Sequence, residues 1–229
     1  MVPSTEVLDL FAVPAVTAPL EGTCAVLAGD LVLSPGGDPA VQTWSSPVLA
    51  RLAVSLDESP GRGRRDLRLA MPVPARDGSW VVDGWSAARW EPGTTVCRDL
   101  DVVLATGRLL HARLASAVPT APEVALPSVE GPEAGPSQLV HTALTGSVLL
   151  DAAGAPVVLG VAPAWGPVRW AEALAVLDAV VRWGVDPRVL QEWGSAADAE
   201  AVARAAWFRA ATGGDDTRAY AELAPTSPT

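Results

Sequence analysis

Apolar residues follow two different periods along the chain. Between Val41 and Leu56 they recur at three- and four-residue steps, which predicts an amphipathic helix. The rest of the N-terminal part holds short apolar runs separated by Gly, Pro and Asp, the pattern of strands joined by turns. Two strands are expected around Gly29-Asp30. Further strands are expected over Leu67–Val73, Trp80–Asp83 and Trp85–Trp90.

The second half of the sequence changes character. A long helix is predicted over Cys97–Ala117, followed by a loop over 118–137 that contains five Pro and two Gly. Ser147–Leu150 and Pro156–Leu159 flank a turn and predict a β-hairpin. Three more helices are expected, beginning at Pro167, Asp186 and Ser195.

These elements divide the chain near the Pro92-Gly93 break. Residues 1–91 form a strand-rich N-terminal lobe with one helix, and residues 92–229 form a helical C-terminal lobe with one hairpin. Strands and helices segregated in this way predict an α+β fold with two lobes.

The amino-acid composition excludes several kinds of catalytic and binding site. The sequence has no Lys and no Asn, so a Schiff-base lysine and a P-loop lysine are both excluded. Its two His and two Cys match no metal-ligand spacing, so no metal site is expected. The net charge of −10 argues against nucleic acid as a partner. No apolar run is long enough for a membrane span, and we expect a cytoplasmic protein.

Several residues have both a functional and a structural interpretation. His111 lies on the apolar face of its helix, where a buried structural histidine is the more common case. Trp170, Trp183 and Trp207 follow helical patterns and are expected in the core. The arginines near Gly61 could bind phosphate, but a solvated loop is favoured for so short a cluster. They are Arg62, Arg64, Arg65 and Arg68.

The order of elements and the stretch from Leu139 to Gly160 resemble the aminoglycoside-phosphotransferase-like kinases. In that family a histidine, one residue and an aspartate are followed four residues later by an asparagine, and a hairpin leads to a second aspartate. Here His141 begins the frame and the hairpin ends at Gly160. Segment 107–111 is similar to a Leu-His segment on the family's long C-lobe helix, and segments 80–90 and 163–172 look like an actinobacterial branch of the family. The resemblance implies a protein-kinase-like fold, in which His141 is structural.

The same frame lacks the residues that transfer phosphate. The resemblance places Ser34 at the phosphate-binding lysine, Ala143 at the hydroxyl-orienting aspartate, and Ser147 and Gly160 at the two metal ligands. A GC-rich genome explains why Lys and Asn are absent from the sequence. It does not explain why Gly160 replaces the metal-binding aspartate, because Asp occurs 15 times elsewhere in the chain. Neither Asp151, Glu172 nor Asp178 is placed to substitute.

The sequence therefore predicts a pseudokinase that acts by binding. It does not distinguish a small-molecule ligand from a protein partner. Trp85 and Trp90 lie near the lobe boundary. Two interpretations of them stay open, since they could line a cleft or pack in the core. No cofactor is expected. Two alternatives stay open. One is a small-molecule phosphotransferase with relocated ligands, which needs ATP and Mg²⁺. The other is a degenerate remnant with a structural role or none.

Overall fold

The protein is α+β, with helices and three sheets, in a computed structural model that describes residues 2–58, 66–128, 135–193, 196–212 and 214–223. Two compact units account for the chain. Unit 1 comprises residues 1–97, 122–125 and 146–161, and unit 2 comprises residues 98–121, 126–145 and 162–229.

Eleven strands are present in the described residues, most of them short. Those of unit 1 are β1 (Ala18–Pro19), β2 (Val26–Ala28), β3 (Leu31–Pro35), β4 (Arg68–Leu69), β5 (Pro72–Val73), β6 (Trp85–Arg89), β7 (Thr95–Val96), β9 (Val148–Leu150) and β10 (Pro156–Val158). Those of unit 2 are β8 (Gln138–His141) and β11 (Pro163–Gly166).

Seven α-helices lie in the same described ranges. Unit 1 holds α1 (Thr5–Leu10) and α2 (Pro39–Asp57). Unit 2 holds α3 (Leu100–Ala117), α4 (Val168–Trp183), α5 (Val189–Glu192), α6 (Ala196–Thr212) and α7 (Thr217–Leu223). None of the helices in the described part of the chain combines the length and the apolar content that crossing a bilayer requires.

Unit 1 is built from two sheets. The first is antiparallel, with strand order β1-β2-β3-β6-β5, and the second has the order β4-β10-β9-β7 with β4 parallel to β10. Asp38 caps the N-terminus of helix α2, because its side chain accepts a hydrogen bond from the Val41 amide at 2.9 Å. Pro39 occupies the first position of the helix. Its residues Leu49, Leu52 and Leu56 are buried, as the apolar spacing predicts.

Unit 2 is centred on α4. Every residue from Trp170 to Val180 is buried, including Glu172 and Asp178. Helices α6 and α7 and the β8–β11 pair supply the apolar side chains around it, among them Val140, Ala205 and Tyr220. A helix buried on all sides presents no polar face, so each of its two acids needs a partner inside the protein.

Two predicted strands differ from the structure. Trp80–Asp83 is not a strand, because Asp83 and Gly84 both have positive φ and reverse the chain, which leaves only a bridge between Val82 and Trp85. The predicted strand Leu67–Val73 is two strands, because the chain passes between sheets: β4 pairs with β10 and β5 pairs with β6.

The predicted division at residues 91–92 differs from the two observed units. The first junction lies after Cys97, since β7 still pairs with β9. The hairpin of β9 and β10 belongs to unit 1, because β10 pairs with β4 and β9 pairs with β7. A hairpin that was assigned to the C-terminal part by its place in the sequence thus packs with the N-terminal strands.

Candidate functional site

His141 fixes the loop that carries Ala143 in unit 2. Its Nδ1 atom accepts hydrogen bonds from the amides of Ala143 at 3.3 Å and Ala162 at 3.0 Å. Its own amide donates to Nε2 of His111 at 3.1 Å. Both rings are 1% exposed. The two histidines therefore act as hydrogen-bond acceptors that position the backbone of this loop.

Both imidazoles are neutral near pH 7. Burial and, to a smaller extent, the neighbouring His111 lower the pKa of His141 to about 3. Burial also lowers the pKa of His111 to about 4, against the opposing effect of the Glu172 carboxylate. A proton at Nδ1 of His141 would face two N–H donors, so this atom cannot serve as a base without breaking the loop.

Three further contacts hold the loop. The Thr145 hydroxyl donates to the Ala175 carbonyl at 3.0 Å, and Arg209 donates to the Thr142 carbonyl. Gly107 of α3 lies so close that a Cβ there would be 2.6 Å from Leu144. The loop geometry is thus fixed on several sides, while Ala143 offers no group that could orient a hydroxyl.

Ser147 and Gly160 lie at the open end of the hairpin in unit 1. The Leu159 amide donates to the Ser147 carbonyl at 2.8 Å, and the strand register pairs Val148 with Val158. The two positions that the resemblance assigns to metal ligands are therefore neighbours across the hairpin. They carry a hydroxymethyl group and a hydrogen where Mg²⁺ favours carboxylates.

Ser34 lies in β3 opposite Ser86 and is half-buried. The Ser86 hydroxyl donates to the Ser34 carbonyl at 3.5 Å. Helix α2 contains no Asp or Glu before Asp57. Kinases pair a strand lysine with a glutamate on the adjacent helix. In this chain neither partner of such a pair is present at Ser34 or in the first eighteen residues of α2.

The acids considered as substitutes are engaged with arginines. Asp151 pairs with Arg68 at 2.5 Å, and hydrogen bonds from Ala155 and Ala153 together with Arg68 lower its pKa. Glu172 pairs with Arg108 at 2.5 Å and with Arg169 at 2.6 Å. Within the described residues, no group of three or more His, Cys, Asp or Glu side chains is arranged to hold a metal ion.

Asp178 has the most complete set of partners. Arg209 donates to both of its oxygens, at 2.8 and 2.6 Å, and the Tyr220 hydroxyl donates at 2.7 Å. Burial and Asp178 raise the pKa of Tyr220, so the phenol remains a donor. The sequence signal for this cluster was an acid inside an apolar helix, but nothing in the pattern identified Arg209 and Tyr220 as its partners.

The tryptophans take different positions. Trp85 lies in the core of unit 1 with 4% exposure, and Trp90 is half-buried against a second apolar cluster of that unit. Trp170 is fully buried in unit 2, as predicted, and Trp183 is half-buried. The prediction for Trp207 was wrong, because its ring is 39% exposed on α6.

The arginine cluster is only partly described. Arg68 pairs with Glu91 and Asp151 rather than presenting a free charge. Arg62, Arg64 and Arg65 lie outside the described residues.

Comparison with known proteins finds similarity to solved structures only. No family model matches the sequence, and no curated protein matches it. The chain is similar to the crystal structure of a choline/ethanolamine kinase family protein from Mesorhizobium loti, with 15% identity and a TM-score of 0.47. The similarity covers 93% of this chain and 89% of the other.

Replacing Gly160 with aspartate is expected to leave the free energy of unfolding within about 0.5 kcal/mol of the wild type. Its backbone is outside the left-handed region and no atom lies within 4 Å of the position of a Cβ. Gly154, in the turn of the same hairpin, is a matched control because its space is also open but its φ is +78°. Gly154→Asp is expected to cost about 1 kcal/mol. If urea unfolding shows that Gly160→Asp and Gly154→Asp lose the same free energy of unfolding, backbone φ does not determine the cost of these substitutions.

Proposed function

We propose that this chain is an aminoglycoside-phosphotransferase-like pseudokinase. It has a two-lobed protein-kinase-like fold, does not transfer phosphate, and acts as a binding or regulatory module. The proposal rests on the difference between a preserved backbone arrangement and the side chains that it carries. The loop at His141 and the hairpin are held by specific hydrogen bonds, while Ser34, Ala143, Ser147 and Gly160 carry no charged group.

The size of the expected loss supports inactivity. Removing one electrostatic group that stabilises a transition state typically costs about 10²–10³ in rate. Phosphoryl transfer depends on positioning and charge neutralisation, so loss of the lysine, the aspartate and both metal ligands removes most of what the protein supplies. These losses do not simply multiply, because the groups act together.

The alternative is a small-molecule phosphotransferase with relocated ligands, which requires ATP and Mg²⁺. It would need a carboxylate that is free to bind metal. Asp151, Glu172 and Asp178 are each bound by arginine, and Asp178 is 0% exposed. Recruiting any of them would break an ion pair, and for the buried pair that cost is several kcal/mol.

The test is a phosphotransfer assay with ATP, Mg²⁺ and a panel of hydroxylated small molecules. We expect no product above the rate without protein. The matched variant is Ser147→Ala, which removes the one side-chain oxygen at the two positions that the resemblance assigns to metal ligands. Turnover that is robust in the wild type and survives in Ser147→Ala would overturn the pseudokinase proposal and favour relocated ligands.

A further inference from the structure

A single apolar cluster joins the first sheet of unit 1 to its hairpin. Val32 comes from β3 and Ala25 directly precedes β2, while Leu149, Val157 and Leu159 come from the hairpin. All five are buried, with exposures of 7% or less. Leu20, Leu27 and Trp90 pack against the same cluster. The face of the sheet therefore rests directly on the hairpin that carries Ser147 and Gly160.

The turn between β1 and β2 closes onto the start of this hairpin. A Cβ at Gly146 would lie 3.2 Å from the Gly22 carbonyl oxygen. Gly146 directly precedes Ser147, so the Gly22 carbonyl lies next to one of the two metal-ligand positions. A carbonyl oxygen at this point repels a phosphate oxygen and offers it no hydrogen bond.

Two amides of the same turn donate to acceptors within the turn. The Thr23 amide and hydroxyl donate to the Leu20 carbonyl at 3.1 and 2.8 Å, and the Ala25 amide donates to the Thr23 hydroxyl at 3.0 Å. Loops that cradle phosphate do so with backbone N–H groups directed at the anion. Here the amides of Thr23 and Ala25 are hydrogen-bonded within the turn. Both ends of the turn are held in place because Leu20 and Ala25 pack in the apolar cluster.

Two described arginines near these elements are paired with carboxylates. Arg89 of β6 pairs with Asp30 at 2.7 Å, and Arg68 of β4 pairs with Glu91 and Asp151. Triphosphate recognition relies on charge-assisted hydrogen bonds from arginine, lysine or a bound cation. Arg68 is held by two carboxylates, so binding a phosphate would require it to give up at least one of them.

We propose that unit 1 is occluded by its own residues. The apolar cluster fills the space between sheet and hairpin, and the turn Leu20–Ala25 covers the start of the hairpin, so that nucleoside triphosphates are not bound. This inference rests on the proposed function and deepens it. A pseudokinase can retain nucleotide binding without transfer, and this chain has lost both, so its binding role uses a surface other than the nucleotide-binding elements.

The first experiment is calorimetric titration of the full chain with ATP, ADP and adenosine, with and without Mg²⁺, up to about 2 mM. A thiol-reactive fluorophore on Cys24 reports on the turn, since Cys24 is exposed and Cys97 is buried. We expect no saturable heat and no change in fluorescence. Saturable binding without phosphate transfer would overturn the occlusion and leave the pseudokinase proposal standing. Transfer to a substrate would overturn both.

The double variant Ser147→Asn/Gly160→Asp separates occlusion from mere loss of ligands. It restores both metal-ligand positions, and Ala152→Asp provides an added carboxylate at the other end of the hairpin as control. If the unit is occluded, neither variant binds Mg·ATP. Binding by the double variant with a Kd below about 1 mM, but not by the control, would show an open site and overturn the proposal.

The lock on the turn has its own measurable signature. Thr23→Ala removes the acceptor of the Ala25 amide, and we expect hydrogen exchange of that amide to become about tenfold faster. Thr43→Ala, which removes an exposed hydroxyl bonded to the Pro39 carbonyl, is the control and should leave the Ala25 amide unchanged. Equal exchange of the Ala25 amide in wild type and Thr23→Ala would show that the turn is not locked, and would overturn the occlusion.

Discussion

Arg209→Met is expected to lower the free energy of unfolding by about 3–5 kcal/mol, because it leaves the Asp178 carboxylate buried without its counterion. Asp178 is 0% exposed and Arg209 is 7% exposed, and two hydrogen bonds join them at 2.6 and 2.8 Å. The Tyr220 hydroxyl remains as one neutral donor to the carboxylate. One hydrogen bond of this kind does not offset the desolvation of a full negative charge.

Chemical denaturation of Arg209→Met and Arg218→Met provides the comparison. Arg218 pairs with Glu222 on α7, and both side chains are more than half exposed. Its loss should change the free energy of unfolding by less than about 1 kcal/mol. Arg209→Met/Asp178→Leu should be more stable than Arg209→Met alone, since it removes the buried charge. A loss below about 1 kcal/mol in Arg209→Met would contradict the prediction that this buried ion pair stabilises the fold.

The same arginine links this ion pair to the loop at His141. Arg209 donates to the Thr142 carbonyl, and Thr142 lies between His141 and Ala143 in sequence. Helix α6 thus contributes to positioning a loop that is far away in the chain. A variant that loses the ion pair should also loosen the loop, so its effect on any binding activity follows from the fold rather than from contact with a ligand.

Local patterns were enough to predict the helices and the hairpin. The helices α2, α3, α4 and α6 and the hairpin of β9 and β10 lie where periodicity and turn residues placed them, within a few residues at each end. Trp80–Asp83 failed for a local reason that the pattern also contained, because Asp83-Gly84 is a turn sequence.

Pairings between distant segments could not be predicted in the same way. β8 pairs with β11 across more than twenty residues, and β4 pairs with β10 across almost ninety. Asp178 and Arg209 lie on different helices, and the sequence indicated only that an acid interrupts an apolar helix. The structural role predicted for His141 came from a family resemblance and not from the spacing of residues around it. The partners of His141 Nδ1 became visible only in the fold.

Acidification is expected to destabilise the fold well above the range in which most carboxylates are protonated. His111 and His141 are neutral in the folded protein, with pKa values lowered to about 4 and about 3, while the unfolded chain binds protons below pH 6.5. The unfolded state therefore binds more protons, and stability falls as pH falls. Each histidine contributes about 1.4 kcal/mol per pH unit well below 6.5, until its folded pKa is reached.

Urea unfolding at pH 7.0, 6.0, 5.0 and 4.5 measures this slope in a window that excludes most Asp and Glu titration. His111→Gln keeps an acceptor for the His141 amide and removes one titrating ring. We expect it to reduce the slope by about half, although its stability at pH 7 is also lower. The control is Arg218→Met, which changes charge at an exposed site and should leave the slope unchanged. Equal slopes in the wild type and His111→Gln would mean that His111 is protonated in the folded protein, and that its Nε2 does not accept the His141 amide.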